Sequence, residues 1–165
     1  MSNLIGFSEE INNLFIKYKN KNLHNSILIF GPQGIGKRHF IDNFIYRIFK
    51  HKLSNDKLEH HVNLYKNDTH PNIRILKKLT DPKTKKLKNN IIVDQVRGIK
   101  KFIKETSPIK NIEKIIIIDS ADDLNNNASN SILKTLEEPT DNTIIFLISH
   151  QISSLLPTIR SRCIK

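Results

Sequence analysis

Gly31-Pro32-Gln33-Gly34-Ile35-Gly36-Lys37-Arg38 is the stretch on which the fold turns. It follows an apolar run, Ile27 to Phe30, and precedes an amphipathic run, His39 to Phe49. That order reads as strand, glycine-rich turn, helix. Gly31, four residues, Gly36 and Lys37 match the phosphate-cradling spacing G-x-x-x-x-G-K. Glycines let backbone N–H groups curl around an anion, and a helix N-terminus adds partial positive charge. Lys37 would reach the outer phosphates. Arg38 stands where a Ser or Thr hydroxyl should hold Mg²⁺. A tight strand-to-helix turn with no ligand is the alternative.

Working outward, the chain alternates apolar runs with helical periodicity. Ser8 heads a helix with Ile11, Leu14, Phe15 and Tyr18 on one face. Ser26 to Phe30 reads as a buried strand, and Gly36 to Lys50 as a helix. The polar stretch 51–71 has weak periodicity. Ile73 to Leu76 reads as a second strand, and 77–90 as an exposed cationic loop. Asp94 caps a helix that runs to Glu105. Ile115 to Ile118 is β-branched throughout, apolar on both faces as a parallel sheet requires. Asn125 to Glu138 is a helix ended by Pro139; Thr143 to Ile148 is another buried strand. Ile152 to Leu156 reads as a short helix ended by Pro157. The fold class is therefore α/β with a parallel sheet.

The bulk numbers set limits. At 165 residues, one domain is expected. The formal charge of +11 suits an anionic partner such as nucleic acid, though an Asn-, Lys- and Ile-rich composition also produces a basic solvated surface. A lone cysteine, Cys163, excludes a disulfide framework and points to a reducing cytoplasm. Met1, Ser2 and Asn3 open no secretory signal, and the apolar runs are too short to span a bilayer.

Asp119 ends the all-isoleucine strand, where phosphate-loop proteins place the carboxylate that holds Mg²⁺ through water. Ser120 follows, where hydrolysing members commonly carry a water-orienting Glu. Both the metal hydroxyl and that carboxylate are thus missing, so nucleotide binding without turnover is the expectation. Arg162, in Ser161-Arg162-Cys163, could serve as an arginine finger in trans or be a solvated edge residue. His51, His60, His61, Asp68 and His70 have irregular spacing with no nearby Cys, and read as solvated loop residues rather than zinc ligands.

These residues also resemble a known family. The resemblance is carried by the loop 31–37, His70-Pro71-Asn72-Ile73, Ile92 to Arg97, Ile118 to Asp122, Asn130 to Pro139 with its Leu-Lys-Thr-Leu-Glu-Glu-Pro core, and Ile159 to Cys163. Together they resemble the N-terminal domain of bacterial DNA polymerase III clamp-loader subunits of the AAA+ class, over nearly the whole chain. The motor subunits (gamma/tau) keep Lys-Thr in the loop and a full acidic pair. Arg38 and Asp119-Ser120 favour the delta-prime branch, which does not hydrolyse ATP. The resemblance implies a three-layer P-loop NTPase (AAA+/RecA-like) domain around a five-stranded parallel sheet. It implies one such domain over 1–165, without the family's lid and C-terminal collar.

It further implies a degenerate nucleotide site formed by Gly31, Pro32, Gln33, Gly34, Ile35, Gly36, Lys37, Arg38 and Asp119. That site would bind ATP, ADP or phosphate weakly and without turnover, with no cofactor required. Ser149 stands at the family's sensor position. Arg162 would complete the ATP site of a neighbouring motor subunit. The implied partners are gamma/tau, delta, the sliding clamp and primed DNA, with no membrane. The family's four-cysteine zinc module has no counterpart in 51–70, so no metal is expected. Two rival functions stay open: an active ATPase motor, and a basic DNA-binding module working through Lys77 to Lys88.

Overall fold

A computed structural model describes residues 6–138, 140 and 142–165. Ser8–Lys19 (α1) leads to Ser26–Phe30 (β1), Lys37–Lys52 (α2) and Asn55–Lys66 (α3). Ile73–Leu76 (β2), Val93–Lys104 (α4), Lys114–Ile118 (β3) and Asn126–Glu137 (α5) follow. Thr143–Ser149 (β4) and Pro157–Arg160 (α6) complete the chain, with single 3₁₀ turns at Ala121–Asp123 and Ile152–Ser154.

The sheet is parallel throughout, in the order β1-β4-β3-β2. β3 and β4 are central and buried along their whole length. Their side chains alternate between two cores, as strand pleating demands. Ile115, Ile117, Ile144, Phe146 and Ile148 pack toward Ile41, Phe44, Ile45, Ile48 and Phe49 of α2. Ile116, Ile118, Ile145 and Leu147 face Val96, Ile99, Phe102, Ile132 and Leu136 of α4 and α5. The result is helix on sheet on helix.

The expected five-stranded sheet is four-stranded among the described residues. At the fifth position, beside β1, only Ile164 pairs. The Leu28 N–H donates to its carbonyl at 2.8 Å, and its own N–H donates to the Ser26 carbonyl at 3.1 Å. One residue with two hydrogen bonds is a bridge, not a strand.

Helix ends deviate from the sequence reading in instructive ways. Ser8 is the first helical residue, not a side-chain cap. Asp94 lies in the first turn of α4 and pairs with Arg97 at 2.8 Å, while Gln95 accepts from the Ile92 N–H. Asn125 does cap α5, accepting from the Ala128 N–H at 2.8 Å. Pro157 opens α6 instead of ending a helix, because a first-turn N–H needs no partner. Pro139 lies outside the described residues, as do Met1, Ser2 and Asn3. The C-terminal carbonyls of α4 are gathered by buried Lys114, whose ammonium donates to Phe102 O at 2.6 Å, Ile103 O at 3.1 Å, and Glu105 O.

The stretch 51–71 holds helix α3, and two of its histidines are not solvated. His61 and His70 are 9% and 1% exposed, packed against Phe49. The Asn72 N–H donates to His70 Nδ1 at 3.2 Å, so His70 must carry its proton on Nε2 and donate it to His61 Nδ1 at 3.0 Å. Burial, with His61 and Arg74 adding, pushes His70 from 6.5 down to about 4. Burial lowers His61 too, with His60 and Lys57 adding. The pair is therefore neutral in the fold and binds protons more readily when unfolded. Its contribution is complete above pH 6.5 and is lost as pH falls toward about 4. We expect the thermal midpoint to decline over that window. His70→Asn, which keeps an acceptor for Asn72 but does not titrate, should make the decline shallower; equal slopes in melts of the two proteins would refute it.

Candidate functional site

Parallel strands put the tips of β1, β3 and β4 at one end of the sheet, so Gly31, Asp119 and Ser149 converge there. The loop between β1 and α2 has the backbone of an anion cradle. Gly31, Gly34 and Gly36 have φ of +148°, +88° and +90°. At Gly31 the positive φ strains any residue with a Cβ, which would also come within 2.7 Å of the movable tip of Ile35. The Gly31 N–H donates to the Ser149 carbonyl at 3.3 Å, tying the loop to β4. Pro32, Gln33 and Ile35 fill the bend, with Ile35 exposed.

Lys37 is buried and folds back on the loop. Its ammonium donates to Gly31 O at 2.6 Å and Pro32 O at 2.7 Å. Burial lowers its pKa, against the pull of Asp122. Those two carbonyls take two of the three ammonium donors.

Arg38 decides the chemistry. Its Nη1 lies 3.2 Å from Asp119 Oδ2 and its Nε 3.0 Å from Asp42 Oδ1. The Tyr65 hydroxyl donates to Asp42 at 2.6 Å and accepts from Arg38 Nη2 at 3.4 Å. A permanently charged guanidinium thus sits against the one carboxylate that would hold the metal. A divalent cation here would meet a fixed positive charge, and the hydroxyl ligand is absent. With the guanidinium on Asp119 and no hydroxyl at position 38, these residues do not fit Mg²⁺.

Other polar residues at the strand tips are also held within the chain. Ser120 takes a left-handed conformation, φ +71°, at the tip of β3. Ser149, at the sensor position, donates its hydroxyl to Asp122 Oδ1 at 2.8 Å. Asp122 also accepts from the His150 N–H at 2.5 Å and from Ser154 Oγ at 2.7 Å. Burial would raise the Asp122 pKa, but these donors hold it below the usual carboxylate range. Sequence reasoning missed both the Asp42–Tyr65–Arg38 network and this Asp122 staple, since each joins residues distant in the chain.

Arg162 is not part of this site. α5 leaves the tip of β3 and runs back along the sheet, so Glu137 ends it near the start of β4. Arg162 contacts Glu137, and shares a shallow cavity with His24, which precedes β1. It therefore lies at the opposite end of the strands, on the order of 15 Å from the loop by strand rise alone. It cannot serve its own chain's Lys37.

Restoring a hydroxyl at position 38 tests the metal argument. For the natural chain, binding of a fluorescent ATP analogue should be weak and insensitive to Mg²⁺. Arg38→Thr, which frees Asp119, should bind at least several-fold tighter with Mg²⁺ than with EDTA. Mg²⁺-dependent binding by the natural chain would refute the assignment.

Comparisons with known proteins converge on one group. The family described as "DNA polymerase III, delta subunit" matches residues 7–165. The DNA polymerase III subunit delta' of Pseudomonas aeruginosa is 33% identical over 144 residues, 86% of this chain and 42% of that protein. That of Escherichia coli is 31% identical over 147 residues, 85% of this chain and 41% of that protein. The chain thus spans about two fifths of the length of these relatives. A DNA polymerase III gamma subunit-related protein from Thermotoga maritima shares the fold, with a TM-score of 0.55 at 22% identity, over 92% of this chain and 44% of that one. No helix among the described residues is long and apolar enough to cross a membrane. This chain belongs to the DNA polymerase III delta-subunit family, on its delta-prime, clamp-loader side.

Proposed function

We propose that the chain is a non-hydrolysing scaffold subunit of a clamp loader in DNA replication. The observation that carries this is the Arg38–Asp119 ion pair, at 3.2 Å, where a metal-dependent ATPase needs a divalent cation. Losing metal and water positioning removes terms each worth several kcal/mol of barrier. The loop then holds the shape of α2 and β1, and any ATP, ADP or phosphate it binds stays intact. The neighbours are the gamma/tau motor and delta subunits, and through them the sliding clamp and primed DNA.

In this reading the chemistry is supplied at the other end of the sheet. Arg162 faces outward, remote from its own loop, and supplies a guanidinium to the ATP of an adjacent motor subunit. Reconstitution of the chain with motor subunits tests this. Arg162→Ala should lower clamp-stimulated ATPase by at least tenfold at the one adjoining site, with Lys37→Ala near wild type. Steady ATP turnover by the chain alone, abolished by Lys37→Ala, would overturn the reading.

The region 77–88 supports a secondary contact with DNA. It is an ordered hairpin: Thr80 pairs with Leu87, and Asp81 Oδ1 accepts from the Lys83 and Thr84 N–H groups at 2.8 and 2.9 Å. Lys77 and Lys78 pair with Asp68 and Asp123, whereas Lys83, Lys85, Lys86 and Lys88 project from the exposed turn. Weak duplex binding is expected, its affinity falling steeply with salt. Replacing those four lysines with Ala should flatten the salt dependence by about three to four units of slope if each meets a phosphate; an unchanged slope would exclude the hairpin.

A further inference from the structure

Arg162 is held before any neighbour arrives. Its Nε and Nη2 both donate to Glu137 Oε1, the first at 2.7 Å. Its Nη1 donates to the Thr158 carbonyl at 2.8 Å. A guanidinium has five N–H donors in one plane. Glu137 engages two and Thr158 one, and Nη1 also comes within 3.5 Å of Ser161 Oγ, so the second N–H of Nη2 is the one left unengaged among the described residues. Thr158 lies on α6 and Glu137 on the last turn of α5, so two packed helices fix the plane of the group. Leu136 and Ile159, beside these partners, are buried in the same core.

We propose that Glu137 is a positioning residue for Arg162. It grips the side of the guanidinium so that the unengaged Nη2 N–H faces an anionic oxygen on the adjoining subunit. This rests on the reading of Arg162 as a group acting in trans. The physical gain is preorganisation. A long, rotamer-rich side chain is ordered in advance, and its ordering cost is not charged to the transition state. The carboxylate also fixes which edge of the planar fork is free, which a solvated Arg would not do.

The experiment has two arms. In the reconstituted ATPase, Glu137→Ala should lower kcat about three- to tenfold without raising KM for ATP, the cost of a misplaced catalytic contact. Glu137→Gln, which keeps the acceptor oxygen, should recover most of the loss. Glu137→Ala placed on Arg162→Ala should add nothing. Wild-type kcat in Glu137→Ala, alongside a loss in Arg162→Ala, overturns the proposal and leaves the trans role standing. A rise in kcat also overturns it, since Glu137 would then be a restraint. If Arg162→Ala itself has no effect, the trans reading fails instead. The second arm needs only the chain. By NMR, the Arg162 Nε–H should exchange slowly with water and speed up in Glu137→Ala; equally fast exchange in both proteins overturns the grip.

Discussion

Burial of two strands on both faces is the constraint that everything else obeys. β3 and β4 have no solvent side, so their middles are apolar on both faces, the polar residues Lys114, Thr143 and Ser149 stand only at their ends, and each strand must have helices above and below. Parallel pairing then follows from the connections, which return over the sheet as α4 and α5. Parallel pairing in turn gathers the strand tips at one end and the helix returns at the other. The loop at Gly31 and the carboxylate of Asp119 meet for that reason. For the same reason Arg162 is sent to the far end, where its side chain meets Glu137.

At the tips, Arg38 sets the electrostatics of the loop. Arg38 stays on the first turn of α2, where a hydroxyl would face a metal. Its longer side chain reaches the same carboxylate and becomes the counter-ion itself. Asp42 and Tyr65 complete the pairing from α2 and α3, so the guanidinium is satisfied on three sides. Lys37 is likewise satisfied by its own loop. The charged groups at the strand tips thus find partners within the chain itself.

Much of the architecture was readable from residues alone. β1 and β2 match the sequence reading at both ends, because short runs rich in Ile and Leu bounded by polar residues leave little choice. That Arg38 and Ser120 stand where a hydroxyl and a carboxylate were expected was readable from the residues alone. Helix α3 was not: its stripe is carried by His61 and Tyr65, residues that a hydrophobicity pattern discounts. The fifth sheet position was not either, since a single bridging residue such as Ile164 has no periodicity to detect.

By itself, the chain of residues determined the class of fold, the order of its strands and helices, and which side-chain types stand at the loop and the strand tips. These depend on local patterning and on identity at spaced positions. Only the tertiary structure decided what those side chains meet. That Arg38 pairs with Asp119, that Ser149 is turned to Asp122, and that Glu137 holds Arg162 each join groups at least 25 residues apart. Such pairings are fixed by packing of whole elements, and charge or hydrogen-bonding capacity in the sequence does not say which partner will be within reach.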